Sequence, residues 1–131
     1  MTDSTSSATQ QRSLYERLGG YDAIAAVSDD FLGRLVAERR LKRFFVRHTA
    51  EWLKQMHQHI IDFLCQATGG PGAYRGRDMK TAHRDLGVTH DDWDAMLNEL
   101  NATFNKFEVP QKERGEVVMA LSGLKADIVV T

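Results

Sequence analysis

The chain has 131 residues, 42% of them hydrophobic and 27% charged, which suits one soluble domain with its own hydrophobic core. Its formal net charge of −1 argues against a protein that binds nucleic acid, and the absence of a long apolar run argues against a membrane span. A single cysteine, Cys65, excludes an intrachain disulfide and makes the cytoplasm the expected compartment.

The chain begins with a polar segment and two predicted helices. Residues 1–12 are rich in serine and threonine and lack the apolar centre of a signal peptide, so we expect a flexible tail before a domain of residues 13–131. The stretch SLYERLGG predicts a short helix that ends at Gly19 and Gly20. A second helix is predicted from about Tyr21 to Ala37, with five apolar residues at helical spacing: Ile24, Val27, Phe31, Leu32 and Leu35.

The middle of the chain contains a basic turn and a long amphipathic helix. The turn, RRLKRFF, ends in Phe44 and Phe45. Basic residues cluster around it in a pattern typical of a solvated helix edge: Arg39, Arg40, Lys42, Arg43 and Arg47. Thr49 is a candidate cap for a helix from Ala50 to Ala67 that ends at the Gly69-Gly70-Pro71 sequence. Its predicted apolar stripe is Leu53, Met56, Ile60, Phe63, Leu64 and Ala67.

The last third of the chain predicts one short and two long helices. The short one covers about Met79 to Arg84. Thr89 and Asp92 have the spacing of a capping box, and Val88 and Trp93 that of a hydrophobic staple. The buried face of this helix is predicted to be Trp93, Met96, Leu97, Leu100, Phe104 and Phe107. Pro110 suits the first turn of the last helix, whose apolar residues are Val117, Val118, Leu121, Leu124 and Ile128. With no alternating strand pattern, the fold class is all-α.

Few residues carry a recognisable catalytic or metal-binding pattern. His57 and His59 are two residues apart, so on a helix they point in different directions and do not form a zinc pair. There is no Cys-x-x-Cys and no His-Glu-x-x-His sequence. Cys65 lies late in an apolar helix, which favours a buried, inert thiol. His83 stands alone in a polar run, and by residue type it is either a loop histidine or a single ligand for something larger.

Four segments in order resemble the truncated haemoglobins of group I. They are LYERLGG, RFF, ATGGP and YRGRDMKTAHRDLGV, and the resemblance covers about Leu14 to Val130. It implies a two-over-two helical sandwich around haem b. His83 would be the proximal histidine that binds the iron. Phe45 would stack on the haem face, with Phe44 as the alternative.

The resemblance also assigns the rest of the pocket. It implies a ligand pocket formed by Leu32, Met56 and Ile60. It implies pocket-wall residues at Tyr74, Met79, Val88, Trp93 and Met96. Partners for the haem propionates would be Arg75, Arg77 and Lys80.

The implied distal side departs from the family pattern. Many members have a tyrosine and a glutamine that donate hydrogen bonds to oxygen, but Leu32, Met56 and Ile60 have no donor. The lost bond predicts oxygen binding weaker by about 1–3 kcal/mol, with carbon monoxide less affected. Counting back from Gly69 places His59 at a possible second iron-ligand position, and counting forward from Phe45 places Met56 there. A histidine at the haem edge or in solvent is the other interpretation of His59.

The resemblance implies a cytoplasmic haem protein that binds the diatomic gases O2, CO and NO. The alternative is a haem-dependent enzyme for nitric oxide detoxification or peroxidase-like chemistry. Because no reductase domain is apparent in the sequence, that enzyme would need a separate reductase as its partner. A third hypothesis is a helical interaction module without haem, whose aromatic residues only fill a core.

Overall fold

The computed structural model describes residues 12–130, and within that range the chain is helical and contains no strand. The predicted tail of residues 1–12 lies outside the described residues, except for Arg12. The helices are α1 (Leu14–Leu18), α2 (Gly20–Ala37), α3 (Ala50–Ala67), α4 (Met79–His83), α5 (His90–Lys106), α6 (Gln111–Ser122) and α7 (Lys125–Ile128), with a 3-10 turn at Lys42–Phe44.

Local capping chemistry determines where most of these helices begin. The Ser13 hydroxyl accepts a hydrogen bond from the Glu16 N–H, and the Glu16 carboxylate accepts one from the Ser13 N–H. Thr49 caps α3 in the same way through the Trp52 N–H. The predicted capping box at the start of α5 is present, with Thr89 and Asp92 as its two members. These side-chain acceptors satisfy N–H groups that lack a partner in the first helical turn.

Helix α2 is the centre of the packing, because it contacts both α3 and α5. One buried cluster joins α1, α2, α5 and α6, and its members are Leu14, Phe31, Leu100, Phe104 and Val117. The ends of the chain are also tied by charge, since the Arg17 guanidinium binds the Glu113 and Glu116 carboxylates at 2.7 and 2.6 Å. These ion pairs are only partly buried, so the apolar cluster contributes more than they do to the stability of the packing between α1 and α6.

A second buried cluster joins α2 to α3 and corrects the predicted stripe of α3. Its members are Ile24, Ile61, Leu64 and Cys65. Ile61 was absent from the predicted stripe, whereas Ala67, which was included, is exposed. Met56, Ile60 and Phe63 are only half-buried. Helix α3 therefore has two apolar faces where the sequence predicted one.

The C-terminal part differs from the prediction in three places. Phe107 was predicted to be buried but is 39% exposed, because α5 ends before it and the chain turns at Glu108, whose φ is 53°. Pro110 precedes α6 as its cap residue and does not lie in the first turn. The predicted last helix is two helices, α6 and α7, and of its predicted apolar residues only Val117 is buried.

Candidate functional site

His83 is the last residue of α4, a helix of only five residues. Asp78 caps the start of α4 by accepting a hydrogen bond of 2.8 Å from the Thr81 N–H. The His83 side chain is half-buried, and its Nδ1 lies 2.8 Å from the carbonyl oxygen of Met79. His83 is therefore a fixed residue and not the freely exposed loop histidine that its residue type alone would favour.

This contact identifies which ring nitrogen of His83 must carry a proton. A carbonyl oxygen only accepts hydrogen bonds, so Nδ1 must be the nitrogen that carries the proton. The other nitrogen of the neutral ring, Nε2, is then left with a free lone pair. Histidines that bind metals commonly donate their second ring N–H to a carbonyl in this way, which fixes the ring and raises the basicity of the ligating nitrogen. The Asp78 cap and the hydrogen bond from His83 to Met79 together leave Nε2 of His83 suited to bind a metal.

The segment after α4 is held in place by the end of the chain. Helix α7 packs against α4, and the Val130 N–H donates a hydrogen bond of 2.9 Å to the carbonyl oxygen of Val88. Gly87 lies between His83 and Val88 with a φ of 69°, a conformation that glycine adopts without strain. Val88 and Trp93 are buried, whereas Met79 and Met96 are half-buried.

The three predicted ligand-pocket residues come from α2 and α3. Leu32 is buried on α2, and Met56 and Ile60 are half-buried on one face of α3, where Ile60 also packs against the cluster that joins α2 to α3. None of the three side chains has a hydrogen-bond donor. His57 lies 3.4 Å from the Ala25 carbonyl oxygen through Nε2, so it is directed at α2, whereas the neighbouring His59 is not.

The edge of this face is an aromatic group that the sequence did not predict as a unit. The ring of His59 lies edge-on to the ring of Tyr74, with centroids 5.9 Å apart. Phe63, which was assigned to the core stripe, meets the same Tyr74 ring at 5.6 Å. Burial raises the pKa of the Tyr74 phenol. The spacing of His59 and Phe63, one helical turn apart, is the signal that could have paired them.

The basic turn before α3 carries the two candidate stacking residues, and both are half-buried. The Arg43 guanidinium lies 4.2 Å from the centroid of Phe44. Phe45 instead meets the Trp52 ring at 6.3 Å. Arg43 thus covers Phe44, and the assignment of Phe45 to a haem face stays a prediction.

Asp92 anchors this turn to α5, a role that its capping motif did not reveal. Its carboxylate is fully buried and lies 2.7 Å from Arg43 and 3.7 Å from Arg40. Burial alone would raise the pKa of Asp92, but hydrogen bonds from Arg43 and Thr89 hold it below its ordinary value. Two members of the basic cluster are therefore structural. The predicted propionate partners, Arg75, Arg77 and Lys80, are exposed.

The described residues do not provide the cluster of protein ligands that a metal ion bound by side chains alone would need. Among residues 12–130, no three or more histidine, cysteine, aspartate or glutamate side chains come together as ligands for an ion. A haem needs only one or two protein ligands, because its own nitrogens supply the other four. His83, with its ring held by the Met79 carbonyl oxygen, fits the requirement for one protein ligand.

A model of the bacterial-like globin family matches residues 13–130. The chain belongs to this family. The similarity extends to truncated members of the family. A group 1 truncated haemoglobin of Synechocystis is 36% identical over 117 residues, covering 86% of this chain and 91% of the relative. One from Mycolicibacterium paratuberculosis is 29% identical over 116 residues, covering 88% and 83%.

Solved structures agree with the fold of this globin. The truncated haemoglobin of Tetrahymena pyriformis in its Fe(III) form has a TM-score of 0.84 and 28% identity, and covers 92% of this chain and 100% of that one. The 2/2 haemoglobin of Synechococcus, in the cyanomet state with covalently attached haem, has a TM-score of 0.82 and 34% identity, with coverage of 90% and 98%. The predicted two-over-two truncated globin fold is confirmed, and membership of the family implies haem binding. Among the described residues, no helix is long and apolar enough to cross a membrane.

Proposed function

We propose that this globin binds haem b through His83 and presents the iron to diatomic gases in an apolar pocket. The observation that carries the proposal is the hydrogen bond from His83 Nδ1 to the Met79 carbonyl oxygen, which leaves the Nε2 lone pair available to bind iron. When bound, the haem supplies an iron centre with affinity for O2, CO and NO. The protein supplies a fixed imidazole on one side and a shaped apolar surface on the other.

Several residues would help to hold the haem in place, and the single cysteine is not placed to attach it. Cys65 is 2% exposed and packs between α2 and α3, so its thiol is not available to bond to a haem vinyl group. The half-buried Met56, Met79 and Met96 offer flexible apolar surface for a macrocycle. Arg77 is exposed beside α4 and is free to pair with a propionate.

The distal side sets the order of gas affinities. Dioxygen on iron becomes partly negative, so a hydrogen-bond donor stabilises it, whereas carbon monoxide gains less. Leu32, Met56 and Ile60 provide no donor. We therefore propose weak or fast-leaving oxygen and better-retained carbon monoxide. The enzymatic alternative, nitric oxide detoxification with a separate reductase, profits from held and polarised oxygen, so this pocket favours gas binding.

The proposal leaves two residues as candidates for a second iron ligand. His59 is at the pocket edge beside Tyr74, and Met56 is one helical turn before Ile60 on the pocket face. A histidine or a methionine in the sixth position would compete with gases. We propose that His59 is the second ligand, and that the iron exchanges between a form with His59 bound and a form with an open sixth position.

The cytoplasmic location of the protein stays a prediction from its single cysteine.

The decisive experiment is an absorption spectrum of the haem-reconstituted protein, recorded ferric and then reduced with dithionite. We expect a Soret band in the wild type and in His90→Ala, a matched control at an exposed histidine. His83→Ala should lose haem or bind it weakly, and added imidazole should restore a histidine-like spectrum. Absence of a Soret band in the wild type would favour the hypothesis of a helical interaction module without haem. A normal spectrum in His83→Ala would refute the assigned ligand.

A further inference from the structure

The loop between α3 and α4 places one aromatic residue, Tyr74, against the pocket edge. We propose that Tyr74 is a positioning residue that holds His59 at the edge of the site and so limits its access to the iron. This inference rests on the proposed function, because it concerns which internal group competes with gases. Its test below separates a failure of the haem site from a failure of the Tyr74 contact.

The first step of the argument is the state of His59. Its side chain is half-buried and lies on α3 at the flank of the face that carries Met56 and Ile60. No hydrogen bond from any described residue engages the His59 ring. Its oriented contact is the edge-on approach to Tyr74, with an interplanar angle of 82°. Such T-shaped pairs are favourable beyond the area that they bury.

The second step is that Tyr74 is itself firmly placed. Its backbone N–H donates to the Gln66 side-chain oxygen at 2.7 Å, and its hydroxyl donates to the Arg77 carbonyl oxygen at 2.5 Å. The ring also meets Phe63 at 88°. At Gly76 a Cβ atom would overlap the Tyr74 ring, so glycine there leaves room for it. Tyr74 thus joins α3 to the loop that leads into the His83 helix.

The third step is the energetic consequence for His59. In this proposal, a His59 ring that binds the iron turns to another rotamer and gives up its contact with Tyr74. The loss of one aromatic pair shifts an equilibrium between two conformations by about 3- to 10-fold. Tyr74 therefore favours the open iron site over the His59-bound one, and gas binding competes with less internal ligand.

The experiment compares variants of the haem-loaded protein by absorption and electron paramagnetic resonance spectra. Tyr74→Leu should raise the ratio of six- to five-coordinate iron by about 3- to 10-fold, because the ring contact is lost. Tyr74→Phe keeps the ring and should stay within about 2-fold of the wild type. Tyr74→Leu combined with His59→Ala should match His59→Ala alone.

Three outcomes would overturn the inference. They are an unchanged ratio in Tyr74→Leu, a rise that persists without His59, and a wild type that is already fully six-coordinate through His59. Gly76→Ala serves as a second variant that displaces the ring without removing it, and it should act in the direction of Tyr74→Leu.

A measurement without haem keeps the test independent of the proposed function. In the haem-free protein, the NMR shift of the His59 Cε1 proton should change in Tyr74→Leu and much less in Tyr74→Phe, because the ring current is kept. Equal shifts in both variants would contradict the contact itself. If the wild type takes up no haem but the shift responds as expected, only the proposed function fails.

Discussion

Helix α3 has two apolar faces, and they differ in how completely the protein covers them. On the face toward α2, Ile61 and Cys65 are 4% and 2% exposed. On the neighbouring face, Met56, Ile60 and Phe63 remain half-buried, although they are equally apolar. The side chains of the first face are almost completely buried. The second leaves apolar area uncovered, which costs about 25 cal/mol for each Å² and is what a large flat cofactor would cover.

The largest expected effect comes from filling the second face. With free haem at about 1000 times its dissociation constant, mass action should raise the free energy of unfolding by about 4 kcal/mol. Guanidinium unfolding with and without haem measures the gain. His83→Ala, loaded in the same way, is the control and should gain much less. Equal stability of the loaded and unloaded wild type would show that the face needs no cofactor.

The next effect separates the two faces by a pair of adjacent substitutions. In the haem-free protein, Ile61→Ala should lower the free energy of unfolding by about 2–5 kcal/mol, because it opens a cavity among almost completely buried side chains. Ile60→Ala removes the same atoms from a half-covered site and should cost about half as much or less. Urea unfolding of the two variants makes the comparison. Equal losses would remove the distinction between the faces.

A donor placed on the second face should change gas affinity. Ile60→Gln adds an amide N–H to the ligand pocket and should raise oxygen affinity by about 1–3 kcal/mol, with a smaller change for carbon monoxide. Ile60→Leu is the matched apolar control. Stopped-flow rates of oxygen dissociation report the effect directly. A Gln variant that releases oxygen as fast as the Leu variant would contradict the assigned pocket.

The smallest expected effect concerns Asp30, a partly buried carboxylate of α2. Partial burial opposes ionisation of Asp30, yet hydrogen bonds from Arg34, Thr103 and Lys106 lower its pKa to about 2. A pKa lowered on folding stabilises the protein above the ordinary carboxyl pKa, and this stability is lost as the pH falls from about 4 through 2. Asp30→Asn should cost about 1–2 kcal/mol at pH 7 and flatten that fall.

Equilibrium unfolding at several pH values tests the Asp30 effect, with the exposed Asp29→Asn as its control. Because Asp30 binds Thr103 across α2 and α5, the effect should be the same with and without haem. A dependence on haem would connect Asp30 to the pocket side.

The sequence predicted the helix boundaries before α6 well, because they depend on neighbouring residues, but it did not predict the break between α6 and α7. The Ser13 and Thr89 capping boxes, and Gly69 with a φ of 86°, act within a few positions of themselves. The faces of α3 were harder, since residues that line a core and residues that line a cofactor site share one apolar pattern. Ile61 and Ile60 are adjacent and chemically identical, and only the position of α2 tells them apart.

The candidate site was predicted unevenly for the same reason. The resemblance of the run YRGRDMKTAHRDLGV to the truncated haemoglobins assigned His83 as the proximal ligand, which stays a prediction, and the bond of His83 to Met79 lies within one helical turn. The contacts of Tyr74 with His59 and of Asp92 with Arg43 join residues 15 and 49 positions apart, and they depend on how the helices pack. No local pattern reports such pairs.

The hydrogen bond from Val130 to Val88 has a practical consequence. Val130, the last residue that the structure describes, holds the loop that follows the His83 helix, so a change at Val130 should alter the surroundings of His83. Removal of Val130 would leave the Val88 carbonyl oxygen without this hydrogen bond. Engineered versions of this globin should carry their fusions elsewhere.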